Sequence, residues 1–196
     1  AAVLFDIDLG GSASGKRPRS ITNTPGIQSY TIANPNGGVL DFDDIDNMVG
    51  LLEDADADQL GTPKFLMHNR VKRRLKKLKV AQFAGQTTEQ SYLLGRPPVS
   101  DAELESIMGY EFHTTNAVPT NLVKGASNNL SHVICAIWEE LITGWWRNLT
   151  FKTSNIAGNA SGSAFLQNQT WLLAEMEVDS IIRHEQSFVV ASDAVA

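Results

Sequence analysis

The sequence predicts an α+β protein, and three observations predict it. Apolar residues recur at helical spacing in a few separate stretches, the longest beginning at Asp41. Several other segments alternate with period two, or run apolar for a few residues between Gly, Pro and Asn, as strands do. A chain of 196 residues is also long enough for one large domain or two small ones, and should bury roughly 70% of its unfolded surface.

Along the chain, Val3 to Leu9 reads as the middle of an ordered strand. With no methionine at Ala1, residues are expected to be missing upstream, so the chain reads as a fragment. Residues 10–38, rich in Gly, Ser, Pro and Asn, read as a long loop holding one short strand, Ile27 to Ile32. Phe42, Ile45, Met48, Val49 and Leu52 then share one helical face, with Asp41, Asp43, Asp44 and Asp46 in the first turns where the helix dipole favours negative charge. This helix is expected to end near Asp58, before Gly61 and Pro63. Phe65 to Met67 reads as a short buried strand, and Asn69 as the cap of a helix whose apolar stripe is Val71, Leu75 and Leu78. Ser100 and Glu103 suit a capping box for a short helix over Asp101 to Met108. Tyr110 to Thr115 alternates as a strand, 121–129 reads as loop, and His132 to Ile137 is apolar enough to be buried on both faces. Trp138 to Arg147 is expected to form a short helix and Leu149 to Ser154 a strand. After a turn at Gly158 to Ser163 come a long strand from Phe165 to about Ile182 and a short one at Phe188 to Val190. There is no internal repeat.

Composition narrows the function. The single cysteine, Cys135, lies in an apolar run and reads as a small buried hydrophobe. No apolar stretch approaches the roughly 20 residues of a membrane span, and the chain is expected to be soluble and cytosolic. A net charge of −6 argues against a generic nucleic-acid binder. The charge is segregated, however: eight of the 22 acidic groups lie in 41–58 with no base, and eight of the 16 bases lie in 64–79 with no acid. Contact between unlike surfaces of an assembly would use this asymmetry, and two solvated helix faces also account for it.

Catalytic motifs are incomplete. Gly10 to Lys16 comes close to a phosphate-binding loop, but Arg17 stands where Ser or Thr must bind magnesium and Pro18 blocks the helix that should follow. Asp6 and Asp8 share a strand face and could bind a metal, yet the supporting groups of a phosphatase site are not found. The histidines at 68, 113, 132 and 184 form no ligand-spaced pair. Gly11 to Gly15 carries alanine where a serine hydrolase needs its nucleophile. No catalytic residue, cofactor site or metal site is therefore expected. The basic stretch stands out instead. Arg70, Lys72, Arg73, Arg74, Lys76, Lys77 and Lys79 could lie against phosphates, whether of a nucleic acid or of a packaged genome, without reading sequence, or form a solvated face, for no aromatic is interleaved for base stacking.

The order of elements carries a resemblance. Phe65-Leu66-Met67-His68-Asn69-Arg70 through Leu78-Lys79, followed by Tyr92-Leu93-Leu94-Gly95, forms a strand-then-helix unit. Gly109 to Pro119 forms a glycine-strand-small-residue-proline signature, with Glu111 where proline is frequent. His132 to Ile137 with Trp138, the strand Leu149 to Ser154, and the tail Phe165 to Val190 follow. Together these resemble the major capsid protein family of tailed phages, whose fold is shared by encapsulins, over its C-terminal two-thirds; the N-terminal arm and extended loop are not in this chain. The resemblance implies a structural subunit, not an enzyme, of a phage or prophage icosahedral shell, assembled in the bacterial cytoplasm into hexamers and pentamers around double-stranded DNA. Scaffold, portal or decoration proteins would be further partners, and no membrane is involved. An encapsulin-like nanocompartment is the alternative, and a nucleic-acid module or a metal enzyme using Asp6 and Asp8 are alternatives of other classes. By the same resemblance, 1–40 leads into the spine. Segments 41–61 and 150–182 form a peripheral-type domain with spine helix and long strands, and 62–149 and 183–196 an axial-type domain. Trp138, Trp145, Trp146 and Trp171 are candidate interface anchors, with at least two expected in the core.

Overall fold

The apolar run at 132–137 lies in the middle strand of a six-stranded sheet. The computed structural model describes residues 19–77, 109–159 and 162–196. Val3–Leu9, Asp6 and Asp8, the glycine-rich loop at 10–16, Leu78, Lys79, Tyr92–Gly95 and the helix expected at 101–108 lie outside them. The strands are β1 (Gln28–Tyr30), β2 (Lys64–Met67), β3 (Glu111–Thr114), β4 (Leu122–Lys124), β5 (Ser127–Ala136), β6 (Leu141–Ser154), β7 (Gly158–Asn159), β8 (Gly162–Ser163), β9 (Trp171–Ile182) and β10 (Phe188–Val195). The helices are α1 (Phe42–Asp54) and α2 (Asn69–Leu75). The sheet runs β1-β10-β5-β2-β3, with β4 also paired to β5. β5 is antiparallel to β2 and β10, whereas β3 and β1 add in parallel outside them.

Register turns this order into two packed faces. Phe112, Phe65, Cys135 and Val189 form one cross-strand row, and His113, Leu66, Ile134 and Val190 the next. Successive residues point to opposite faces, so Phe65, Cys135 and Val189 meet Ile45, Met48, Val49 and Leu52 of α1 and Val71 and Leu75 of α2. Leu66, Ile134 and Val190 pack with Ile21, Val118, Ile182 and Phe188 on the other side. The Phe65 ring stacks on Phe112 with centroids 5.2 Å apart and meets Tyr110 edge-on at 5.9 Å. Burial raises the pKa of the Cys135 thiol, which keeps it protonated and inert.

α1 starts where its sequence says it should. The Asp41 side chain accepts from the Asp44 backbone N–H at 3.0 Å, while Asp44 accepts from that of Asp41 at 3.1 Å, a reciprocal cap of the kind worth about 1 kcal/mol. Asp44 also accepts from the Tyr30 hydroxyl at 2.9 Å, tying α1 to β1. Its burial raises the carboxyl pKa above the usual value. Lys124 and the backbone N–H groups of Ile32 and Ala33 converge on the buried Asp193 carboxylate, which is presented by a bulge in β10 and anchors the loop after β1.

Several expectations are corrected. α1 ends at Asp54 and not near Asp58, because Asp56 takes a left-handed conformation (φ 51) and a 3-10 turn follows. His68, not Asn69, caps α2: its Nδ1 accepts from the Arg70 N–H at 3.1 Å, whereas Asn69 is already helical and donates to Asn116. Loop 121–129 contains β4 and the start of β5, joined in a tight hairpin at Gly125 (φ 58). The helix expected over 138–147 is a 3-10 turn, Trp138–Glu140, followed by β6. Trp138, Leu141, Ile142 and Trp145 mimic helical spacing, but pairing with β9 overrides it. The long strand begins at Trp171, since Phe165–Asn168 is a turn with Asn168 at φ 51. Among the described residues α1 shares its core with β2, β5 and β10, and the long strands β6 and β9 form a separate two-stranded ribbon.

Because Phe65 anchors the helix-side core, Phe65→Ala should cost about 3–5 kcal/mol in urea unfolding of the isolated chain. The exposed Phe165→Ala should stay within about 0.5 kcal/mol of the unsubstituted protein in the same titration.

Candidate functional site

Among the described residues the dominant surface feature is the two-stranded ribbon formed by β6 and β9. Two-stranded ribbons are marginally stable in water, and this one carries a heavy apolar load. Directly opposed residues share a face, so the pairs Trp145–Val178, Phe151–Ala174 and Thr153–Leu172, with Met176 between, place an apolar stripe on one side. Trp145, Phe151, Leu172 and Met176 are all exposed. The opposite side holds an ionic ladder: Arg147 lies 3.4 Å from both Glu175 and Glu177, and Lys152 lies 2.6 Å from Glu175. Two register shifts, between Trp145 and Arg147 and between Arg147 and Thr150, break the alternation. The first makes Trp146 the unpaired residue of a bulge, and it stands 90% exposed.

The ribbon leaves the body through a polar clasp. Glu140, 2% exposed, sits just before β6. One of its carboxylate oxygens accepts from Arg183 Nη2 at 2.6 Å; the other accepts from Arg183 Nε at 2.8 Å and pairs with His184 Nδ1 at 2.6 Å. The Arg183 backbone N–H donates to the Glu140 carbonyl at 3.0 Å. Arg183 first, and His184 second, hold the Glu140 carboxyl below its ordinary pKa. Leu141, Ile182 and Trp138 close the apolar side of this root against Phe188.

The basic stretch is split by folding. Arg70, Arg73, Arg74 and Lys77 are exposed and Lys76 is half-buried. Lys72 is buried, and its Nζ donates to the Phe112 carbonyl at 3.0 Å, so it holds α2 to β3. Lys79 lies outside the described residues. The histidines stay apart: His68 caps α2, His113 lies in β3, His132 in β5 beside Ser192, and His184 in the clasp. Among the described residues no group of three or more His, Cys, Asp or Glu could hold a metal, and no helix is long and apolar enough to cross a membrane. Of the four tryptophans, Trp138 and Trp171 are partly buried and Trp145 and Trp146 are exposed.

The clasp is invisible in the sequence because its members lie 43 and 44 positions apart. Trp145-Trp146 is the available signal for the exposed ribbon, since consecutive residues of a strand point to opposite sides and a bare ribbon buries neither.

Comparison with known proteins agrees with this geometry. The sequence model of the Phage capsid family matches residues 10–193. Among solved structures, the capsid of an empty GTA particle aligns with a TM-score of 0.60 at 12% identity, covering 97% of this chain and 60% of that one. Gordonia phage Cozz aligns with a TM-score of 0.57 at 16% identity over 96% and 56%. The SrpI encapsulin from Synechococcus elongatus PCC 7942 aligns with a TM-score of 0.50 at 13% identity over 90% and 57%. At these identities the likeness is one of fold, and the fold is that of phage capsid proteins and encapsulins. The chain spans about three-fifths of the length of these solved chains. No curated protein matches the sequence.

A carboxyl whose folded pKa is depressed stabilises the folded state above the carboxylate range and loses that contribution as pH falls through the folded value. Glu140→Gln should therefore lower the thermal midpoint of the protein at pH 6. The gap between the two proteins should narrow as pH falls below the ordinary carboxylate value and close once it has passed the lower folded value, where the unsubstituted carboxyl is itself neutral.

Proposed function

The chain belongs to the phage capsid family, and from that premise we propose that it is a structural subunit of a bacteriophage or prophage icosahedral shell. It assembles with copies of itself into hexamers and pentamers, in the host cytoplasm, around double-stranded DNA. The observation that carries this reading is the uncovered apolar side of the ribbon. Fully burying a large apolar side chain is worth about 1.5–3 kcal/mol. Trp145, Phe151, Leu172 and Met176 already have roughly half their surface covered, so covering the rest offers on the order of 3–6 kcal/mol. Association itself costs about 4–15 kcal/mol. One such contact is therefore marginal, and a closed shell that repeats it around every subunit is the setting in which it becomes decisive.

On this reading the six-stranded sheet with α1 and α2 is the axial-type body that packs around five-fold and six-fold centres, and the ribbon is the peripheral-type arm. The family match favours a virus shell over an encapsulin-like nanocompartment. Arg70, Arg73, Arg74 and Lys77 are the exposed bases available for non-specific contact with genome phosphates. Scaffold, portal and decoration proteins are the further partners such a shell takes.

Expressed alone, the full-length protein should form uniform icosahedral shells or free hexamers and pentamers under the electron microscope, and a persistent monomer would sink the reading. Replacing Trp145 and Phe151 by serine should leave folded subunits, judged by circular dichroism, that no longer assemble. Nucleic acid inside the shells supports the phage role, and packed protein cargo the nanocompartment. If the bases meet DNA, Arg73→Ala with Arg74→Ala should flatten the log–log salt dependence of DNA binding by roughly 0.9 for each phosphate that is no longer neutralised.

A further inference from the structure

The ribbon carries two further apolar features, a groove at its root and a turn at its far end. At the root is an open groove of about 430 Å³ lined by Ile142, Gly144, Trp146, Val178 and Ile181, with Glu177 and Asp179 among its walls. Gly144 leaves the floor empty: a Cβ there would approach only the Asp179 carbonyl, at 3.9 Å. The bulged Trp146 forms one wall. A volume of this size falls within the range of pockets that take a substantial organic group.

At the far end, Phe165 and Leu166 project with 73% and 82% of their surface exposed. They belong to an ordered knob. Ala164 N–H donates to the Ala157 carbonyl at 2.8 Å and Gln169 N–H to the Ala164 carbonyl at 2.9 Å. Gln167 and Asn168 donate to Ser163 and Phe165 at 3.2 Å each. The Ser154 hydroxyl accepts from Ala157 N–H at 3.1 Å on the adjoining turn. A turn closed in this way gives up little conformational entropy when it docks.

The knob cannot reach the groove of its own chain. The Ile142–Ile181 and Thr153–Leu172 pairs are separated by eleven residues of β6, roughly 36 Å at 3.3 Å per residue, and the knob lies beyond the second pair. A groove and a knob at opposite ends of one ribbon can serve as the two halves of a heterologous contact, which generates a ring where the rotation between copies closes. Charge permits the match as well. Phe165 to Thr170 carries no charge, so the acidic groove wall meets the amide side chains of Gln167, Asn168 and Gln169, which can donate to carboxylates, and meets no like charge.

We propose that the Phe165–Leu166 knob of one copy inserts beside Trp146 into the groove at the ribbon root of a neighbouring copy. This insertion rests on the shell reading and names a contact within it. Two inserted side chains with their surroundings bury less than the roughly 1,000 Å² a stable pair needs. The contact therefore does not hold a free dimer, and it acts only where a closed ring of copies repeats it.

Cysteine cross-linking in assembled full-length protein tests this. Cys135, the one cysteine of these 196 residues, is buried in the sheet, so Leu166→Cys combined with Ile181→Cys places the only new thiols on knob and groove. After mild oxidation the doubly substituted particles should run as covalent dimers and longer ladders on a non-reducing gel, while either single variant stays monomeric. Gly144→Leu should fill the groove without a backbone clash, abolish the ladder in the double-cysteine background, and lower particle yield roughly tenfold, the effect of removing one modest hot spot. Particles of normal appearance whose two cysteines do not link, or that form in full yield with Gly144→Leu, overturn the contact and leave the shell reading standing. Absence of particles from the unsubstituted protein overturns both.

Discussion

The whole fold depends on the burial of β5 on both of its faces. With β10 along one side and β2 along the other, each residue of Val133–Ala136 lies in a cross-strand row. A one-residue slip would exchange Cys135 for Ile134 and send every neighbour to the wrong layer. The two layers differ in kind: one is roofed by α1 and α2, the other by the turn at Ile21, by Val118 and by the root of the ribbon at Ile182. Register in β5 thus sets where the helices lie and also where the ribbon departs.

What can be read in the sequence follows from how local each signal is. The α1 face is legible because Ile45, Met48, Val49 and Leu52 repeat at helical spacing and Asp41 stands at the cap. β2 and β5 are legible as short apolar runs between turn residues. The ribbon is only half legible: apolar residues on both of its sides erase period two, and the bulges shift what alternation is left. The spacing therefore suggests a helix where β6 begins, and a strand at Phe165-Leu166 where the chain turns. The family resemblance places the fold correctly, but side-chain roles such as those of Lys72 and Glu140 depend on partners about forty positions away, and spacing along one chain cannot reveal them.

Buried and exposed apolar surface are divided between two regions. The sheet and its helices hold nearly all of the apolar core, whereas the ribbon holds most of the large apolar groups left in water. Glu140 stands at the border, with backbone and side-chain bonds from Arg183 and a contact from His184 fixing the first residues of the ribbon to the body.

The two register shifts in the ribbon also bear on how free chains behave when crowded. Both β6 and β9 are edge strands, each with a row of backbone donors and acceptors facing water, and long flat apolar edges are templates for unlimited strand addition. Register shifts on either side of Arg147, with charges at Arg147, Lys152, Glu175 and Glu177, twist and interrupt that edge. They leave no long regular stretch onto which an identical strand could zip. The same irregularity that lifts Trp146 out of the ladder thus disfavours strand-by-strand growth of free chains into fibres.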